Sequence, residues 1–130
     1  MRGRLDRAQL RRESGVLKSP LGEESPLHFV LLGVHNAEVC PTSNSKTRDL
    51  VLQTGPQIPG IAERTGVKIV AGPYVNNEHL TVAIVEADKA EDIDRFLVET
   101  RLPQWNTVRV VPSRPIEEGM QELQEVAALV

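Results

Sequence analysis

From Leu27 onward the chain alternates between two kinds of apolar spacing, and that alternation leaves few folds open. The run His28-Phe29-Val30-Leu31-Leu32-Gly33-Val34-His35 is almost continuously apolar, as in a central strand. Asn36 to Asn44 reads as a loop, with Pro41 fixing the chain and Thr42, Ser43 or Ser45 available as a helix N-cap. The spacing then predicts a helix from about Ser45, with Leu50, Val51 and Leu52 facing inward. Gly55-Pro56 interrupts it, because proline lacks a backbone donor and clashes with the preceding turn. A second helical piece, Ile58 to Arg64, ends at Gly66, a residue suited to a left-handed cap.

Val67 to Gly72 is β-rich and reads as a second strand. A polar turn, Asn76-Asn77-Glu78, leads into a third, Leu80-Thr81-Val82-Ala83-Ile84-Val85-Glu86. Asp88 followed by Glu91 resembles a capping box, and Ile93, Phe96 and Leu97 behind it fall at helical spacing over residues 89–100. Pro103 stops that helix, and Thr107 to Val111 forms a fourth strand. Pro115 to Ala128 predicts a last helix with Met120, Leu123 and Ala127 on one face.

The order is β-α-β-β-α-β, so the expected fold is α+β and ferredoxin-like. Right-handed crossovers give an antiparallel four-stranded sheet of spatial order 4-1-3-2, with helices on one face. The domain is expected over residues 27–130, behind a flexible basic tail at 1–26. That tail has six basic and four acidic residues, whereas the remainder has nine basic and fourteen acidic. An acidic body does not suit a phosphate backbone. Aromatic residues make up only 3%, too few for a base-stacking platform, so no nucleic acid partner is expected.

A single cysteine excludes an intrachain disulfide, and no apolar run approaches the ~20 residues that cross a bilayer. No membrane association and a cytoplasmic location are the expectation. The sheet face away from the helices keeps its Val, Ile and Leu side chains uncovered, which predicts a homodimer or a higher homo-oligomer.

Three segments carry a resemblance: HFVLLGVHN, GVKIVAGPYVNNEHLTVAIVEA and DIDRFLVETRLPQWNTVRVVPSRPIEEG. Between His28 and Met120 the chain resembles the small bacterial proteins grouped around the GYD-type domain, a ferredoxin-like group of largely unknown function. More distantly it is similar to the dimeric α/β barrels, which include monooxygenases, haem-binding enzymes and regulatory proteins. The resemblance implies a fold and a dimer; it implies no catalytic residue.

One constellation stands out once the strands are placed. In a 4-1-3-2 sheet the end of strand one lies beside the start of strand three, so His35 and His79 approach each other. Cys40 sits in the adjoining loop, with Tyr74, Asn76 and Asn77 nearby. Imidazole and thiolate are ligands that borderline-soft metals prefer. A His₂Cys set leaves one position open on zinc, or suits copper. A cysteine near a helix N-terminus also tends toward a lowered pKa. The expected metal ligands are therefore His35, Cys40 and His79, and Tyr74 and Asn76 are the expected contacts for a bound small ligand or cofactor. The plain alternative is a buried, inert cysteine and two histidines bonded to turns.

Three functions follow from these residues. The first is a small homo-oligomeric binding protein holding zinc, copper or a small cofactor. The second is an enzyme of the dimeric α/β-barrel kind acting on a small organic ligand. The third is a structural or regulatory interaction protein.

Overall fold

A computed structural model describes residues 26–126. The expected tail at 1–26 and the end of the expected last helix, including Ala127, lie outside the described residues, save Pro26 itself. Four strands form one sheet: β1 (Leu27–Val34), β2 (Val67–Val75), β3 (Leu80–Ala87) and β4 (Thr107–Ser113). Their order is β2-β3-β1-β4, the expected 4-1-3-2 arrangement seen from the other edge, and each neighbouring pair is antiparallel. Four α-helices accompany the described strands: α1 (Ser45–Thr54), α2 (Ile58–Thr65), α3 (Ala90–Thr100) and α4 (Ile116–Glu125).

Alternation along the strands divides the sheet into two faces. Phe29 and Leu31 of β1 and Ala83, Val85 and Ala87 of β3 turn toward α2 and α3. There they meet Ile61, Ala62, Ile93, Phe96 and Leu97. Val85, Ile93 and Phe96 have no exposed surface, so each contributes about 1.5–3 kcal/mol through burial. The other face carries Val30, Leu32, Val34, Val82, Ile84 and Val111, and no described helix covers Val34 or Ile84, which are 46% and 38% exposed.

Several local expectations need correction. The N-cap of α1 is Asn44, whose side chain accepts from the Thr47 N–H, and not Thr42, Ser43 or Ser45. Leu52 points outward at 69% exposure, while Leu50 and Val51 pack on the core. A helix turns 100° per residue, so three consecutive side chains cannot share one narrow stripe. The cap position of α3 is Lys89 rather than Asp88, with Glu91 and Asp92 placed in the first turn, where the helix dipole favours acids. The same helix ends on Arg101 in the left-handed region (φ 61°), before Pro103 is reached.

Strand β2 runs on to Val75, three residues beyond Gly72, by means of two register shifts. Gly72 makes this passage possible. Its φ is 86°, and a Cβ there would lie 2.5 Å from the Val82 carbonyl oxygen. Gly72→Ala is therefore expected to destabilise the fold by about 2 kcal/mol, read as a lower urea midpoint. An unchanged midpoint would show that β2 accommodates a side chain there.

Candidate metal centre

Antiparallel pairing of β1 with β3 sets Val34 opposite Leu80, so the residues just outside this pair, His35 and His79, are brought together. The His35 N–H donates to the His79 carbonyl at 3.1 Å, and the rings meet edge-on with centroids 5.3 Å apart. His79 adopts φ 62°, a left-handed conformation that costs a residue with a Cβ roughly 1–2 kcal/mol. The turn that holds it there is built by Asn76. Its carbonyl accepts from the His79 N–H, and its Oδ1 accepts from Glu78 and Leu80 at 3.0 and 3.2 Å.

Cys40 comes from the β1–α1 connection, which is tied internally at nearly every residue. Asn36 caps a 3₁₀ turn at Ala37–Val39 by accepting from Glu38 and Val39. The Cys40 carbonyl accepts from Ser43 and Asn44, and the Ser43 hydroxyl reaches the Ala37 carbonyl. Asn44 donates to the Glu38 carbonyl at 3.0 Å while its oxygen caps α1. Arg48 donates to the Pro41 and Thr42 carbonyls at 2.9 and 2.8 Å. A loop with so many polar ties holds its thiol in one place, buried at 7% exposure.

These elements bring one ligand atom each from His35, Cys40 and His79 within 4.8 Å of one another. Tetrahedral zinc bonds of about 2.0–2.3 Å put donor atoms roughly 3.5 Å apart, so side-chain shifts of about 1 Å would close the set on an ion. No family model, curated protein or solved structure matches the chain. The likeness to the GYD-type group rests on the quoted segments alone.

Around the three residues lies a hydrogen-bonded shell. His35 Nδ1 is 3.0 Å from Asn106 Oδ1. Asn106 is itself oriented, because its Nδ2 donates to the Leu102 carbonyl at 3.2 Å and its Oδ1 accepts from the Thr81 hydroxyl at 3.3 Å. An amide oxygen only accepts, so His35 carries a proton on Nδ1, and in the neutral ring the lone pair lies on Nε2. Trp105 packs against the same ring with centroids 4.9 Å apart. The other imidazole is less well served: His79 Nδ1 is buried and makes no hydrogen bond among the described residues.

The Cys40 thiol is held below its ordinary pKa. Hydrogen bonding from Thr42 is the main cause, with its hydroxyl oxygen 3.1 Å from Sγ; burial opposes the shift, and His79 adds to it. The Thr42 backbone amide, just ahead of α1, also lowers it, in the direction expected for a cysteine near a helix start. Removing the hydroxyl in Thr42→Val should move the pH inflection of Cys40 alkylation upward in metal-free protein. Iodoacetamide rates across pH 6–10 measure this, and an unmoved inflection would remove Thr42 from the account.

Asn76 and Tyr74, the other two site candidates, part company. Asn76 lines the cavity beside His35 and Cys40. Tyr74 is 61% exposed and pairs with Val82, a residue of the open sheet face. Sequence reading left out Asn106 and Trp105, whose contacts with His35 span about 70 residues and follow no local spacing.

Proposed function

We infer that this protein binds a single borderline-soft transition metal ion, zinc or copper, through His35 Nε2, Cys40 Sγ and one nitrogen of His79. The orphaned His79 Nδ1 is the observation that carries this reading. A buried polar atom without a partner costs on the order of 1–3 kcal/mol, and this one belongs to a ring already held in a costly backbone conformation. A depressed thiol pKa and a fixed His35 tautomer support the same conclusion, since metals bind thiolate and neutral imidazole. Three protein ligands leave one position of a tetrahedral ion for another molecule. A reducing compartment such as the cytoplasm suits a centre that needs a free thiol.

Elemental analysis of untagged protein tests the reading. About one metal per chain is expected after gentle purification, and less than about a tenth would overturn it.

The open sheet face and the exposed stripe of α4 (Ile116, Met120 and Leu123, at 70%, 51% and 77% exposure) support a homodimer. Four strands of about eight residues present roughly 19 by 26 Å, so a pair of copies would bury about 1,000 Å² in total, the lower limit for a specific interface. A second copy supplies the matching apolar surface. Sedimentation equilibrium should return twice the 14.4 kDa chain mass, falling to one chain mass in Ile84→Arg. A monomer at micromolar concentration in the parent protein would refute the dimer.

A further inference from the structure

Beside the three ligand residues lies a cavity of about 360 Å³, between the end of the sheet and the α1–α2 segment. His35 and Cys40 stand in its wall, which is mainly apolar and includes Val51, Ile58, Val75, Leu102 and Trp105, with Asn76 and Asn77 at its polar part. Among the described residues, no Asp, Glu, Lys or Arg lines it. Its four described threonine hydroxyls are all engaged: Thr54 donates to the Leu50 carbonyl, Thr100 to the Leu97 carbonyl and Thr81 to Asn106, while Thr42 is bonded to the Cys40 sulfur. A ligand entering here loses its water and meets mainly carbon, so a charged molecule would be penalised and an apolar one favoured.

We propose that this cavity holds a small, neutral, largely apolar organic molecule carrying one nitrogen or sulfur donor, which completes the coordination of the metal held by His35, Cys40 and His79. The inference rests on the metal reading above and adds the class of ligand. The volume suits about ten to fifteen non-hydrogen atoms at interior packing density. A more open depression on the other side of His35, bordered by Val34, Gln104 and Thr107, touches neither Cys40 nor His79. The cavity meets two of the three metal ligands; that depression meets one.

Cobalt(II)-loaded protein, titrated with imidazole and with 4-phenylimidazole and followed by cobalt absorption, provides the test. Both probes offer the same donor; only the second offers an apolar body. The phenyl compound should bind at least about thirtyfold more tightly, the gain expected from burying one aromatic ring. Ile58→Phe fills the cavity, and should abolish that preference while cobalt uptake and imidazole affinity stay unchanged. Val51→Phe does the same from another part of the wall, should the first variant fold poorly. Equal affinities for the two probes, or a preference that survives both fillings, would overturn the cavity assignment and leave the metal centre intact. A protein that takes up no cobalt, zinc or copper defeats the metal reading, and this inference with it.

Discussion

Cys40→Ser is expected to weaken zinc binding on the order of a thousandfold, because zinc sites draw roughly 3–4 kcal/mol from each ligand and a serine hydroxyl stays protonated at neutral pH. Competition against a chromophoric chelator measures the change. The serine isostere should leave the metal-free fold intact, since the loop is fixed by the Cys40 carbonyl and by Asn36, Asn44 and Arg48, and not by the thiol. His79→Gly provides the companion experiment. Glycine accepts φ 62° without steric cost, so the metal-free variant should unfold at the same or a higher urea concentration while its zinc affinity falls by a similar factor. Such opposite movements separate a ligand from a structural residue. Parent-like zinc affinity in Cys40→Ser would end the metal reading.

Strand identity and order were legible in the sequence because Val, Leu and Ile leave little choice of register when one face is buried. The approach of His35 to His79 followed from that order alone, as neighbours at one end of β1 and β3. What was not legible depended on atoms rather than patterns. Asn44 takes the cap of α1 among several polar residues able to do so. The path of β2 through Gly72 and Pro73 depends on two register shifts that leave no period-two signal, and it sets Tyr74 on the open face. The cavity had no sequence signal either: Val51 is expected on the inward stripe of α1, Ile58 only opens a helical piece, and Val75 lies past the expected end of β2. Asn106 was invisible for a third reason. Its value lies in three partners, His35, Thr81 and Leu102, and only Leu102 is near it in the chain.

That asparagine carries the remaining large effect. Asn106 is 6% exposed and fixes His35 by accepting at 3.0 Å, so Asn106→Leu should weaken metal binding about 10–100-fold, the usual result of losing an outer partner to a ligating histidine. Stability should fall as well, by about 2–3 kcal/mol, because His35 Nδ1–H and the buried Thr81 hydroxyl both lose their acceptor. Asn106→Asp separates the two consequences. A carboxylate still accepts from His35 and makes its other nitrogen a better donor to metal, so affinity should hold or rise. It also sets negative oxygen against the Leu102 carbonyl, where the amide donated at 3.2 Å, and stability should drop. Zinc competition and urea unfolding on both variants then give four results. If Asn106→Leu binds zinc as the parent does, the imidazole of His35 needs no outer support and is not positioned for a metal.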